Sequence, residues 1–160
     1  RTLTTTAARG LADAEAQLQA LVDGWEKRSP GAAVLAEART ILEIDSFVQH
    51  ALAHRLRGLL AGVSRGKERL RLLEERAAFA KAAFPDLSGA RAWLLEAHAD
   101  GLLRETGSKE ESAKRVVDAL SMYEEALSIL VALYGEEQEY VRDMEKKLKR
   151  AQAQHQQLCR

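Results

Sequence analysis

The chain has little of the material that strands, loops and disulfides require. Its 160 residues include one cysteine, two prolines and ten glycines, with only eight valines, three isoleucines and eight aromatic residues. Because strands draw on β-branched and aromatic side chains, this composition disfavours a β-rich fold. The single cysteine, Cys159, cannot form an intramolecular disulfide, which suits a reducing compartment. We therefore expect an intracellular protein, either cytoplasmic or nuclear.

Two further absences concern partners. The sequence has no run of about 18 uncharged apolar residues, so we expect no membrane span. Lysine plus arginine and aspartate plus glutamate number 24 each, whereas nucleic-acid-binding domains carry a basic excess that neutralises phosphates. Residues 55–81 hold a local excess, eight basic side chains against three acidic ones. That excess predicts either a solvated helix face or a patch that steers an acidic partner. We expect neither nucleic acid nor membrane as partner.

Alanine and leucine are abundant, at 28 and 24 residues. Both favour helices, and apolar residues recur three and four positions apart between proline and glycine breakers. The pattern predicts an all-α fold of about seven helices in antiparallel hairpins. Their expected bounds are 11–27, 32–44, 46–61, 65–84, 86–103, 110–134 and 138–157. Ser46 and Gln49 match a capping box, yet whether 32–61 forms one helix or two stays open.

The breakers also predict how the helices end and how the domain is organised. Gly62 is expected to close the third helix in a left-handed cap, and Ser108 with Glu111 forms a second capping box. The polar segment 105–112 is predicted to be a flexible loop, and the Gln-rich tail 152–160 to fray. We expect residues 1–160 to form a single domain, cut from a longer chain because it starts at Arg1.

The fourth and sixth predicted helices align with each other at an offset of 50 residues. Each helix is followed by a breaker, Pro85 or Gly135, and then by another helix. Two helix–stop–helix units at a fixed spacing are typical of stacked helical hairpins. The matched positions are Leu70 and Leu120, Leu73 and Tyr123, Ala77 and Leu127, Ala80 and Leu130, Ala83 and Leu133, and Phe84 and Tyr134.

The sixth helix carries the most specific motif, Ala119-Leu120-x-x-Tyr123-x-x-Ala126-Leu127. It resembles the second-helix signature of tetratricopeptide repeats. The small residues let paired helices approach closely, and the aromatic ring fills the groove to the next hairpin. The motif therefore predicts hairpins stacked into a short superhelix, tetratricopeptide-like over its last two hairpins.

The order of helices over residues 11–151 resembles the C-terminal helical domain of the SET/MYND lysine methyltransferases. In that family a tetratricopeptide-like superhelix follows the catalytic SET region and its zinc-binding tail. Three stretches carry the resemblance: 81–85, which ends on a Phe-Pro pair; 90–103; and 119–148, with Leu-Tyr-Gly at 133–135.

The chain also departs from that family. Gln138 and Glu139 stand where the family favours a His-Pro pair after the glycine, and kinesin-light-chain-like repeats share the same turn. The SET motifs are absent, and one cysteine cannot supply a zinc site. The resemblance implies a non-catalytic domain that walls the substrate cleft. S-adenosylmethionine and zinc are then expected only in the parent chain, not in this segment.

The sequence offers no convincing catalytic, cofactor-binding or metal-binding residues. His50 and His54 have a metal-compatible spacing, but a third ligand and the glutamate of a zinc protease are missing, so we expect ordinary packing or surface histidines. Trp25 and Trp93 are expected in the core. Cys159 lies in the fraying tail without a base nearby, so nucleophilic catalysis is not expected.

The leading hypothesis is a protein-interaction and scaffolding module that holds a peptide or an adjoining SET domain. Stacked hairpins leave a concave surface, and we place the partner-binding groove at Arg65, Arg69, Arg91 and His98. One alternative is a stand-alone adaptor that binds peptide tails. Another is a closed helical bundle with an enzymatic or small-molecule function. Whether the parent chain is an enzyme stays open.

Overall fold

The computed structural model describes residues 5–27, 30–43 and 50–159. Those residues form seven α-helices and no strand, so the all-α prediction is confirmed. The helices are α1 (Thr5–Lys27), α2 (Ala32–Leu42), α3 (Ala51–Val63), α4 (Gly66–Ala83), α5 (Gly89–Arg104), α6 (Lys109–Tyr134) and α7 (Glu139–Leu158). None of these helices has a stretch long and apolar enough to cross a bilayer.

The chain divides into two compact units, Arg1–Ser64 and Arg65–Arg160, where a single domain was predicted. In the first unit α1, α2 and α3 pack against one another. Its buried side chains come from all three helices: Leu18, Leu21, Val22, Trp25, Ala38, Ile41, Ala53, Leu56 and Leu60. The prediction that Trp25 belongs to the core is thus confirmed.

The sequence left open whether residues 32–61 form one helix or two, and the structure has two helices there, α2 and α3. Helix α3 begins at Ala51, later than predicted, because His50 is its N-cap and the Nδ1 atom of His50 accepts from the Leu52 amide at 3.3 Å. The Nε2 atom of His50 lies 3.2 Å from Glu15 on α1. His50 therefore has a structural role. The capping box predicted at Ser46 and Gln49 lies outside the described residues.

In the second unit each helix packs against the next one along the chain, in the order α4, α5, α6, α7. Short connections join the helices, as in helical hairpins. One core cluster unites α5, α6 and α7. The packing of neighbouring helices agrees with the predicted hairpins, while their stacking into a superhelix stays a prediction.

Several predicted helix ends are confirmed and others are wrong. Ser108 and Glu111 form the predicted capping box, and Gly135 ends α6 with φ at 84°. Gly62 is not a left-handed cap, because α3 continues to Val63 and Ser64 follows in extended backbone. Helix α6 starts at Lys109, so only 105–108 connect the helices and 109–112 are helical. Helix α7 extends to Leu158, and the fraying of 152–160 stays a prediction.

Burial supports the offset of 50 residues between α4 and α6 at most of the matched positions. Leu73 and Tyr123 are both buried, as are Ala80 and Leu130. Ala83 and Leu133 are both exposed. In the signature of α6, Ala119, Tyr123 and Ala126 are all fully buried, as predicted.

Candidate functional site

The candidate site is a groove in the second unit that is lined by α4 and α6, with α5 contributing to its lining. The cavity measures about 530 Å³. We call it the α4–α6 groove. Its lining residues are Leu70, Glu74, Ala77, Ala78 and Lys81 of α4, Leu95, His98 and Leu102 of α5, and Asp118, Ser121, Met122 and Glu125 of α6. Their spacing of three and four residues within each helix puts each set on one helical face.

Small residues set how closely α5 approaches its neighbours. A Cβ atom added at Gly101 would lie 2.3 Å from Cδ1 of Leu73, so the absence of a side chain lets α4 and α5 meet. Toward α6, Ala99 of α5 and Ala119 of α6 are fully buried in one cluster. Both α4 and α6 therefore pack on α5, and the α4–α6 groove lies along this three-helix arrangement.

The charged side chains of the groove fall into a paired set and an unpaired set. Glu125 lies 2.7 Å from the Arg91 guanidinium and 3.8 Å from the Lys81 ammonium. Glu74 of α4 and Asp118 of α6 are both exposed, and neither has a hydrogen bond or ion pair within the described part of the chain. The two unpaired charges of the groove are thus both negative.

His98 lies in the wall of the groove and is almost fully buried, with 7% of its surface exposed. Its Nδ1 atom has no hydrogen-bond partner within the described chain. Burial lowers the pKa of His98 from its ordinary value because the charged imidazolium loses its hydration. Glu74 and Asp118 act in the opposite direction, and Lys81 adds to the lowering. The imidazole is therefore held neutral.

The structure brings together only part of the predicted partner-binding set. His98 lines the groove, and Arg91 lies just beside it through its ion pair with Glu125. Arg91 also pairs with Asp86, and the hydrogen bond to Glu125 is the largest effect raising its pKa. Arg65 is the exposed N-cap of α4 and Arg69 is half-buried; neither lines the groove.

Sequence reasoning missed the acidic character of the groove. The basic excess of 55–81 directed attention to arginines, yet Arg57 of that run is buried in α3 and therefore does not belong to a solvated face. The signal that would have found the groove is the α4 stripe of Leu70, Glu74, Ala77 and Lys81, which repeats at helical spacing. Its matching walls on α5 and α6 depend on tertiary packing.

Toward α7, the polar groups of α5 are fully paired. The Lys147 ammonium of α7 donates to Glu96 at 2.6 Å and to Asp100 at 2.8 Å, and the Tyr123 hydroxyl of α6 donates to Asp100 at 2.5 Å. Burial opposes the charge of Lys147, but its bonds to Asp100 and Glu96 outweigh this and raise its pKa. Burial, then the hydrogen bond to Asp100, raises the pKa of Tyr123. We call these four residues the α5–α7 network.

The first unit has a cavity of about 410 Å³ between α1 and α2, beside Trp25. Its polar lining residues Gln17 and Glu37 bond to each other at 2.5 Å.

Trp93, predicted to be a core residue, is 52% exposed, so that prediction is wrong. Its ring lies near Gly89, at the N-terminal end of α5.

Within the described residues, no group of three or more histidine, cysteine, aspartate or glutamate side chains is placed to hold a metal ion.

No protein-family model matches the chain, and no curated protein has a significantly similar sequence. The resemblance to the SET/MYND methyltransferases therefore stays a prediction.

Proposed function

We propose that the chain is a non-catalytic protein-interaction module whose second unit binds a segment of a partner protein in the α4–α6 groove. The observation that carries this proposal is the groove itself: three helices line a cavity of about 530 Å³ with leucine, alanine and methionine side chains among a few polar ones. Concave sites that bind ligands have this size and this mixture of apolar surface with few polar groups.

The polar groups of the groove support binding over a purely structural role. In a stable helical core, buried polar atoms are satisfied within the protein. The α5–α7 network follows that rule, whereas the Nδ1 atom of His98 does not. Glu74 and Asp118 are exposed at the same groove, and neither has an ion pair within the described part of the chain. Groups that the protein itself leaves unsatisfied at the wall of an open cavity are suited to a partner that satisfies them.

The family context is a separate part of the proposal. By the resemblance at 81–85, 90–103 and 119–148, the module belongs to a SET/MYND-like lysine methyltransferase, where it walls the substrate cleft. A stand-alone intracellular adaptor is the alternative. Sequencing the coding region upstream of Arg1 decides between them, because a SET region brings an Asn-His pair and clustered cysteines. If neither is encoded there, the methyltransferase link is wrong.

A peptide-display experiment tests the binding function itself. A random peptide library is panned against the whole chain, and selected peptides are measured against two variants. Ala78→Trp places an indole in the groove, while Ala82→Trp adds the same ring at an exposed position of α4 outside it. We expect A78W to abolish binding and A82W to retain it. Peptides that bind both variants alike would contradict the proposal.

A further inference from the structure

We infer that the partner segment of the α4–α6 groove is cationic: it presents a lysine or arginine to Glu74 and Asp118, and packs apolar neighbours on the leucine and methionine side chains of the groove. This inference rests on the proposed function and names its partner class. One option from the sequence was a basic patch that steers an acidic partner. The charges of the groove favour the opposite partner, a cationic one.

The first reason is the placement of the two carboxylates. Glu74 stands on α4 and Asp118 on α6, so they come from the two sides of one groove. Both act electrostatically on His98 in the wall of the same groove. Neither has an ion-pair partner within the described chain. A cation entering the groove can interact with both charges at once, and a pair of carboxylates then stabilises it more than one would.

The second reason is what the other charges of the groove already do. Lys81 is the only cationic side chain in the lining, and it lies 3.8 Å from Glu125, which Arg91 also contacts. Lys81 and Arg91 are thus engaged with a third carboxylate. They do not form ion pairs with Glu74 or Asp118. Among the described residues, the charges of the groove that have no ion pair are therefore negative. A phosphate or an acidic peptide would meet repulsion there.

The third reason is His98, an independent feature of the same wall. It is more than nine-tenths buried, and its Nδ1 atom lacks a hydrogen-bond partner within the described residues. A neutral imidazole adds no positive charge that would compete with an incoming cation. Buried polar atoms of this kind ordinarily have partners. The groove is thus lined by a buried polar side chain without a hydrogen bond in the described chain.

The remaining lining decides what flanks the cation. Leu70 of α4 and Met122 of α6 are partly exposed and offer apolar surface, with the buried Leu95 and Leu102 of α5 behind them. Methionine adapts to differently shaped side chains. A free polyamine would satisfy the carboxylates but leave this surface uncovered. A protein segment with leucine-like neighbours around its lysine covers both.

Designed peptides test the inference, with the whole chain as the binding protein. The probe is acetyl-LKKLLKLLKKLLKL-amide. Three relatives replace every lysine by glutamine, every lysine by glutamate, or every leucine by serine, and spermidine serves as the cation without apolar flanks. Affinity is measured by fluorescence anisotropy or calorimetry. The protein variants are Glu74→Gln/Asp118→Asn and, as a control that removes the same charge from exposed positions outside the groove, Glu124→Gln/Glu136→Gln.

We expect the lysine probe to bind most tightly and the glutamate and serine relatives to bind weakly. The E74Q/D118N variant should bind the lysine probe about 10-fold more weakly. The E124Q/E136Q control should stay within about two-fold, and the glutamine relative should not distinguish the two variants. Circular dichroism before each titration confirms that both variants are folded.

Three outcomes would overturn the inference: equal losses in both double variants, tighter binding of the glutamate relative, or spermidine binding as tightly as the lysine probe. Each leaves the proposed function intact provided that A78W still blocks the peptides selected from the library. If A78W blocks none of them, the proposed function itself fails. The two failures are therefore distinguishable.

Discussion

The polar side chains around helix α5 form two groups, and the groups differ in whether their members bond to one another within the described chain. Toward α7, Glu96 and Asp100 are both engaged by Lys147, and Tyr123 donates to Asp100 as well. Toward the α4–α6 groove, the Nδ1 atom of His98 has no hydrogen bond in the described part of the chain. The two carboxylates that act on His98, Glu74 and Asp118, have no ion pair there either. The same helix thus carries a closed set of polar contacts and an open one.

The difference separates stability from binding. Groups that satisfy one another hold the helices in place, and removing one leaves the others buried without partners. Groups without internal partners add little to stability, so they can be replaced at small cost to the fold. We therefore expect mutations in the α5–α7 network to destabilise the second unit, and mutations in the groove to spare it. All stability measurements use a Trp25→Phe background, in which Trp93 alone reports on this unit.

Tyr123→Ala has the largest expected effect. The side chain is 2% exposed and lies in the core cluster of α5, α6 and α7, so its truncation leaves a cavity and removes a partner of Asp100. We expect a loss of about 3 to 5 kcal/mol in the free energy of unfolding, measured by urea titration. Tyr123→Phe keeps the ring and should cost only about 1 kcal/mol. Equal losses in both variants would show that the hydroxyl, not the packing, matters.

Lys147→Met should have an intermediate effect. The substitution keeps the aliphatic stem but removes the cation that Glu96 and Asp100 share, each of which is about a quarter exposed. Asp100 keeps the Tyr123 hydroxyl and Arg104, whose guanidinium lies 4.0 Å away. We expect a loss of about 1 to 2 kcal/mol. Lys146→Met is the matched control, because Lys146 pairs only with the exposed Asp143; it should leave the urea midpoint nearly unchanged. Indistinguishable midpoints would show that the network is no more stabilising than a surface pair.

His98 gives the second unit a dependence on pH. Its pKa is lower in the folded chain than the ordinary value of 6.5, so the unfolded state binds more protons in the window just below that value. Stability is fully present above pH 6.5 and falls on acidification, with a slope of at most about 1.4 kcal/mol per pH unit. The groups that face His98 are Glu74 and Lys81 on α4 and Asp118 on α6.

Urea titrations across this window measure the slope for the parent and for His98→Gln. We expect the slope to become smaller in H98Q, whatever its overall stability, and to persist in the control His155→Gln on α7. A slope that is unchanged in H98Q would show that the pH dependence arises elsewhere.

Glu74→Gln and Asp118→Asn should have the smallest effects on stability. Neither carboxylate has a hydrogen bond or ion pair within the described residues, so each single variant should unfold within about 0.5 kcal/mol of the parent. A loss as large as that of Lys147→Met would mean that these groups have a structural role, and the contrast between the two surroundings of α5 would disappear.

Much of the fold could be predicted from the sequence, but little of the groove could. Helix count, the capping box at Ser108 and Glu111 and the end of α6 at Gly135 follow from local chemistry, since caps and breakers act within one turn. His50 shows the limit of such signals: the N-cap of α3 is a histidine held by Glu15 on a distant helix. A histidine at that position has no distinctive local pattern.

The position of the groove could not be predicted from the sequence because its lining comes from three helices. Glu74 and Asp118 are 44 positions apart, and only the packing of α4 and α6 on α5 brings them to one cavity. His98 was included because the concave surface was assigned to the fifth helix together with the basic run of the fourth. Trp93 shows the opposite error, since a tryptophan on such a helix was expected inside and lies half exposed. Which face of α5 is covered depends on its neighbours.

The most direct test of the central claim is a nuclear magnetic resonance titration of the ¹⁵N-labelled chain with the lysine probe, acetyl-LKKLLKLLKKLLKL-amide. Both surroundings of α5 are then observed in one experiment. We predict that the largest shifts fall on Glu74, His98 and Asp118, including the ring nitrogens of His98, while Glu96 and Lys147 move little. Shifts centred on the α5–α7 network, or spread evenly over exposed carboxylates, would contradict the assignment of the α4–α6 groove as the binding site.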